Sequence, residues 1–332
     1  MELTFSVTHT TKVSFTESFA DFVDSLAIDC CFVIDRSLES LAESLPEGRV
    51  FYIDGEKEKD LNHVESCLEW LIDLNAGRKT TLVAVGGGAT TDFAAFAASV
   101  YKRGMRLVLV PTTLLSAVDS AIGGKTAVNF VAKNTVGTFY PADEVVIARD
   151  FFKTLDERQV ASGKAEIIKL ALIKGGRLAD MVFAAEDLLS EEALTLAILG
   201  KYEIVSADFT DTLEKRIVLN WGHTFGHAIE IYYSLPHGMA VAAGMVLAQE
   251  WAAKVCDDEV FSAKELEKLL QKHGINNDLQ KYREENKWRK FIMLDKKRNL
   301  DKISMVYLKK TGVPGIIYRN SNDILRDLEE LR

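Results

Sequence analysis

Five short apolar runs, at residues 31–34, 50–53, 81–85, 107–110 and 145–147, recur through the first 150 residues, separated by amphipathic or small-residue stretches. No other feature limits the fold as strongly. Runs this short, bounded by turn residues, read as strands, and what separates them reads as helix. Residues 61–76 place Val64, Leu68, Leu71 and Ile72 at helical spacing, and residues 93–101 repeat the spacing with small side chains that let a helix lie close on a sheet. The pattern is that of βαβ units in a layered α/β domain. Beyond residue 150 the strand signals fade. Helical segments at 165–173, 191–206, 239–255 and 263–273 take over, with two short strands at 303–308 and 315–318. The expected fold is an α/β domain over residues 1–150 and a mainly α-helical domain over 151–332. With five prolines, no repeat and no low-complexity tract, nothing reads as a flexible linker, so the two should pack directly with a cleft between them.

The 332 residues, 48% of them hydrophobic, suffice for two such cores. No run of eighteen apolar residues occurs, and residues 1–7 alternate like a strand instead of pairing a basic start with an apolar block. The expectation is a cytoplasmic protein with no membrane partner. Cys30, Cys31, Cys67 and Cys256 form no CxxC pair, and two sit in an apolar run, so reduced thiols are expected. A net charge of -9 argues against a nucleic-acid partner, which needs a broad basic footprint, and leaves room for a basic pocket.

Three segments carry chemistry. Gly86-Gly87-Gly88 follow a strand and lead through Thr90 and Thr91 to Asp92 at a helix start. Glycines let backbone N–H groups approach a phosphate, and a helix N-terminus adds partial positive charge. The spacing is not GxGxxG. Asp35 ends an earlier strand where a ribose could be held, and Glu56 and Lys59 follow another strand end. The second segment runs from Thr112 and Thr113 through Asp119 and Lys125 to Lys133 and Asn134. Its Gly123-Gly124-Lys125-Thr126 looks like a P-loop tail, but Asp119 stands where the first glycine would fall, which disfavours a nucleotide triphosphatase. It reads as a loop of hydroxyls, N–H groups, a carboxylate and two lysines, suited to a phosphorylated, polyhydroxylated ligand.

The third segment combines Glu166 and Lys169 with Asn220, His223, His227 and His237. One carboxylate and two or three imidazoles can form an open site for a divalent metal. Three of the six histidines fall between residues 223 and 237, and His223 and His227 lie on one side of a helix. His9, His63 and His273 stand apart and read as surface residues, and Trp221 reads as packing. Although the chain is acidic, Arg103, Lys125, Lys133, Lys169, Lys201, Arg216, Lys296 and Lys297 lie in or beside these segments. Together they point to a substrate with more than one negative group.

The blocks GGGATTDFAAFAASVYKRG, VPTTLLSAVDSAIGGKTAVN, KNTVGTFYP, TLDERQVASGKAEIIK and LNWGHTFGHAIE with HGMAVAAGM resemble, in order, those of the 3-dehydroquinate synthase family. The resemblance spans about Asp35 to Lys297. It implies a nucleotide-binding α/β domain, a mostly helical metal-binding domain, and a homodimer. It makes Glu166, His223 and His237 the ligands of zinc, with cobalt as an alternative, and His227 an acid/base or substrate-contact residue. Asp35, Glu56, Lys59, Gly86, Gly87, Gly88, Asp92, Thr112, Thr113 and Thr154 match NAD contacts. Arg103, Asp119, Lys125, Lys133, Asn134, Lys169, Lys201, Arg216, Asn220, His227 and Lys296 or Lys297 match substrate contacts. The chain departs from the family pattern at Thr90-Thr91, in a segment from Lys125 to Lys133 that is shorter than usual, and in an extra residue before Arg216.

The activity implied is conversion of a small-molecule partner, the phosphorylated sugar acid 3-deoxy-D-arabino-heptulosonate 7-phosphate, to 3-dehydroquinate in the shikimate route to chorismate and aromatic amino acids. An alcohol is oxidised and later restored with NAD as a catalyst, phosphate leaves by β-elimination, and an aldol addition closes the ring. Two rivals share the architecture. A polyol dehydrogenase of the glycerol dehydrogenase type should lack the basic set at Lys125, Lys169, Lys201 and Arg216. A sibling sugar-phosphate cyclase is disfavoured because Lys201, Arg216, Asn220 and His227 match the quinate-forming group.

Overall fold

The computed structural model describes residues 8–26, 29–285, 287–293 and 302–329. The strand expected at residues 1–7, and both Lys296 and Lys297, lie outside the described residues. The chain divides into two compact units, Met1–Leu155 and Asp156–Arg332.

The first unit carries strands β1 (Lys12–Thr16), β2 (Cys30–Asp35), β3 (Val50–Ile53), β4 (Thr81–Gly86), β5 (Arg106–Pro111), β6 (Lys125–Phe130), β7 (Ala132–Phe139) and β8 (Glu144–Ala148). Its α-helices are α1 (Phe19–Asp24), α2 (Leu61–Asp73) and α3 (Gly88–Val100). Six strands form one parallel sheet in the order β1-β8-β5-β4-β2-β3. All five apolar runs became strands of this sheet. Every residue of β4 is buried, as expected of a parallel strand covered on both faces, and this is why the sequence shows a continuous apolar run there. The sheet edge was harder to read. In β1 every residue is exposed or half-buried, so no apolar run announces it. α3 begins at Gly88, before the apolar spacing starts at Phe93, because its first turn is built from Gly-Ala-Thr-Thr.

The segment read as a loop from Thr112 to Asn134 holds more regular structure than expected. A π-helical turn spans Ser116–Ser120, and β6 and β7 form an antiparallel hairpin. The hairpin escapes the sequence for two reasons. Val131, at φ +62°, stands at its tip where Asn or Gly would signal the turn, and β7 is exposed almost throughout, so no face alternates.

The second unit consists of α4 (Glu157–Lys174), α5 (Gly176–Ala184), α6 (Glu191–Ser206), α7 (His223–Tyr233), α8 (His237–Val255), α9 (Ala263–Lys272) and α10 (Leu279–Glu284). It ends in the antiparallel pair β9 (Ile303–Lys310) and β10 (Val313–Arg319), then α11 (Ser321–Glu329). α4 starts with a capping box in which the Asp156 carboxylate accepts from Gln159 N–H, and the Gln159 side chain accepts from Asp156 N–H. α8 is buried on nearly all sides, so its pattern is apolar all round. Small residues let its neighbours approach: a Cβ on Gly244 would lie 2.0 Å from Gly222 O of the turn before α7, and one on Gly238 would lie 1.9 Å from Ser162 O of α4. Buried Gln249 ties α8 to β9, donating to Leu308 O at 2.9 Å and accepting from Leu308 N–H at 2.7 Å. His273 corrects an expectation. It is 7% exposed, with a ring nitrogen 2.8 Å from Val182 O, and burial lowers its pKa.

Candidate active site

In the first unit the residues matched to NAD contacts gather at the carboxyl ends of adjacent parallel strands. Asp35 closes β2, Glu56 and Lys59 follow β3, Gly86 closes β4 with Gly87 and Gly88 after it, and Thr112 and Thr113 follow β5. Chain order runs outward from β2 to β3 on one side and from β4 to β5 to β8 on the other. The β2/β4 boundary is therefore the topological switch point, where open parallel sheets bind ligands. The departure at Thr90-Thr91 acts here. The Thr90 hydroxyl donates to Asp35 Oδ2 at 3.0 Å across that boundary, while Thr91 Oγ1 donates back to Gly87 O and Gly88 O. Asp35 Oδ1 accepts from Ser37 N–H and Oγ–H. Gly87 caps α3 without a side-chain acceptor, which suits the helix start to an anion.

Lys59 is the centre of a second group. Only 2% exposed, it donates to Asp92 Oδ2 at 2.8 Å and to Asn134 Oδ1 at 2.7 Å. Asn129 donates to Glu56 Oε1 and accepts from Asn134 N–H, so β6 and β7 are tied to the end of β3. Sequence reasoning placed Lys59 and Asp92 with the nucleotide and Asn134 with the substrate; the fold brings all three into contact. Lys125 and Lys133 are exposed on the hairpin, and Arg103 is exposed at φ +66° in the turn after α3. Asp119 lies half-buried in the π-turn, and the Thr154 hydroxyl donates to Phe151 O of its own turn. A cavity of about 480 Å³ opens at the opposite, amino end of the strands, lined by Lys12, Cys30, Arg106 and Glu144 among others, and none of the residues matched to NAD or substrate contacts lines it.

In the second unit α4, α7 and α8 converge on one cluster. The rings of His223 and His227 lie 5.2 Å apart, those of His223 and His237 5.3 Å, and those of His227 and His237 5.7 Å. One nitrogen from each lies within 4.8 Å of the others. Glu166 reaches them from α4 and is fully buried. Its Oε2 contacts Lys169 Nζ, and its Oε1 faces His223 Nε2 at 4.0 Å and His237 Nε2 at 3.9 Å. Among the described residues neither oxygen accepts a hydrogen bond beyond the Lys169 ion pair. A buried carboxylate left so is costly unless cations complete its surroundings, and Lys169 stands beside only one of the two oxygens. Donors about 2.0–2.2 Å from one tetrahedral ion sit roughly 3.3–3.6 Å apart, so small side-chain movements would let Glu166 and two or three of these imidazoles share one divalent metal. The N and O donors suit zinc or a neighbouring transition metal.

Lys201 on α6 and Arg216, in the 3-10 turn Lys215–Asn220, are 6% and 7% exposed, on elements that pack against α4 or against each other. Asn220 is exposed at the end of that turn. The extra residue before Arg216 is absorbed in a loop wound around Asp208, with Asp211 and Glu214 left-handed at φ +54° and +58°. The Asp208 carboxylate accepts from the N–H groups of Thr212, Leu213 and Lys215. Burial pushes this carboxyl up, but the combined backbone donors outweigh burial and hold it below its usual range. Sequence reasoning missed Asp208. It also missed Glu230, whose Oε2 lies 2.8 Å from His237 Nδ1; its one sequence signal is a carboxylate seven residues after His223, on the same helix face. Trp221 is fully buried, as read.

Residues 49–162 match the N-terminal domain model of 3-dehydroquinate synthase, and residues 163–298 match its C-terminal domain model. A 3-dehydroquinate synthase of Methylacidiphilum infernorum (isolate V4) is 39% identical over 264 residues, 78% of this chain and 74% of that protein. Among solved structures, a 2-deoxy-scyllo-inosose synthase complexed with carbaglucose-6-phosphate, NAD+ and Co2+ superposes with a TM-score of 0.81 at 28% identity, covering 96% of each chain. The 2-epi-5-epi-valiolone synthase ValA from Streptomyces hygroscopicus subsp. jinggangensis 5008, with NAD+ and Zn2+ bound, gives 0.77 at 25% identity, covering 100% of this chain and 98% of that one. With both domain models matched in sequence order and a relative this similar over most of its length, the chain is a lyase-type cyclase and belongs to the 3-dehydroquinate synthase family.

Proposed function

We propose that this protein is a 3-dehydroquinate synthase, converting 3-deoxy-D-arabino-heptulosonate 7-phosphate to 3-dehydroquinate and phosphate, in the cytoplasm, as a homodimer in the shikimate route. The observation that carries the reading is the carboxylate–imidazole cluster on α4, α7 and α8, flanked by elements bearing the buried cations Lys201 and Arg216. A buried cation suits an anionic substrate, and a polyol dehydrogenase has no use for several of them. The 39% identity to a 3-dehydroquinate synthase favours that member over the sibling cyclases.

On this reading Glu166, His223 and His237 hold zinc or cobalt, and the residues at the strand ends of the first unit hold NAD. The metal supplies Lewis-acid polarisation of substrate oxygens, and NAD supplies a reversible hydride acceptor. The chain's own residues bind, orient and move protons. Lys201 and Arg216 pair with the substrate's anionic groups, and Asn220 hydrogen-bonds its hydroxyls. Arg103, Lys125 and Lys133, exposed cations of the first unit, favour the leaving phosphate dianion and orient it. His227, beside the two ligand imidazoles, carries a proton to or from a reacting hydroxyl.

The test is turnover of the heptulosonate phosphate by purified protein supplied with NAD and zinc. Phosphate and dehydroquinate should appear in equal amounts with no net NADH. NADH accumulating in step with product would move the assignment to a dehydrogenase. Turnover of a non-carboxylated sugar phosphate in place of the heptulosonate would move it to a sibling cyclase.

A further inference from the structure

We infer that Glu230 is a positioning residue that selects the tautomer of His237 and aims its Nε2 at the metal; this rests on the reading that Glu166, His223 and His237 hold a divalent ion. His223, His227 and Glu230 stand at i, i+4 and i+7 on α7 and so line one face of the helix. The chain then turns through Ser234, left-handed at φ +52°, and Pro236, and His237 opens α8. That turn sets the His237 ring between two carboxylates. Glu230 Oε2 lies 2.8 Å from Nδ1, and Glu166 Oε1 lies 3.9 Å from Nε2.

A neutral imidazole carries one proton, and an ionised carboxylate is an acceptor only. The short contact with Glu230 therefore keeps the proton on Nδ1 and leaves the Nε2 lone pair directed at Glu166, where the ion is placed. His223 is arranged alike, with Nδ1 3.3 Å from Trp221 O and Nε2 toward Glu166. A backbone carbonyl orients one ligand ring and a side-chain carboxylate the other. Such partners fix ring orientation and raise ligand basicity, and their loss typically weakens metal affinity about 10–100-fold. A surface ion pair alone would give no reason for the opposite ring nitrogen to face a buried carboxylate.

The experiment uses full-length protein stripped of metal by chelator dialysis. Zinc affinity is measured by competition with a chromophoric chelator, and the visible absorption of the cobalt-loaded protein reports ligand geometry independently of turnover. Glu230→Ala should weaken zinc binding about 10–100-fold and change the cobalt spectrum, with the melting temperature of the metal-free protein unchanged. Glu230→Gln, which still accepts from Nδ1–H, should retain most of the affinity. His237→Ala is the control for the underlying reading and should lose zinc binding more severely. Wild-type affinity in Glu230→Ala alongside loss in His237→Ala would overturn the positioning role and leave the metal site standing. Equal losses in the alanine and glutamine variants, with a lowered metal-free melting temperature, would overturn it in favour of simple packing. Wild-type zinc binding by His237→Ala would overturn the metal assignment itself.

Discussion

His223 and His227 are both held by α7 on one side, four residues apart, yet the proposal gives them different work. If His227 moves protons and does not hold the ion, His227→Ala should keep stoichiometric zinc and normal NAD binding while turnover falls about a hundredfold or more. Lys201→Ala should mainly raise KM, because ion pairing with a substrate anion acts already in the ground state. Metal analysis, NAD titration and steady-state kinetics on the two variants check this, and zinc loss from His227→Ala would put the HxxxH pair on the metal together. At this scale the sequence was legible where chemistry-bearing residues cluster within a few turns, as at residues 220–237. His273 shows the limit. Nothing beside it in sequence indicates that its ring is buried against Val182 O, because that carbonyl comes from a different helix. Asp208 was hidden for a related reason: a carboxylate that accepts from backbone N–H groups looks like any solvated aspartate until the loop closes around it.

Among elements, the crossings of α8 position the cluster, and they depend on absent side chains. Gly244→Ala would place a methyl 2.0 Å from Gly222 O, and Gly238→Ala would place one 1.9 Å from Ser162 O. Both obstacles are backbone, so helices must move. Each substitution should cost on the order of 1–3 kcal/mol of stability, and Gly238→Ala, next to His237, should also lower zinc affinity. Denaturant unfolding with a parallel zinc titration measures both, and a Gly238→Ala protein with unchanged stability and zinc affinity would refute the close-packing argument. Helices α2, α3, α4, α6, α8 and α9 and the central strands were legible because each buries a face or a whole run, whereas α1, α5, α10 and α11, each nine residues or fewer, were not read. β1 and the β6–β7 hairpin were not, since an edge strand and an exposed ribbon have no buried face to impose a pattern.

The molecule as a whole places its two cofactor proposals in separate units, NAD contacts before Leu155 and metal ligands after Asp156. Ligands that bind only the folded state stabilise it by mass action, about 2.7 kcal/mol at a hundred times Kd. NAD and zinc should each raise the melting temperature of the wild type, whereas Glu166→Ala should lose the zinc-dependent rise and keep the NAD-dependent one. Thermal scans with each ligand alone check this, and a zinc-dependent rise undiminished in Glu166→Ala would place the ion elsewhere. From sequence alone came the α/β and helical division, the central strands, and the short list of residues able to carry the chemistry, because burial and local spacing are written residue by residue. Only the tertiary structure decided which of those residues meet. The Thr90–Asp35 bond, the Lys59–Asp92–Asn134 group, and the placing of His237 between Glu166 and Glu230 all join residues from different elements. Such contacts follow from the register of strands and the crossing of helices, which no local pattern in the chain records.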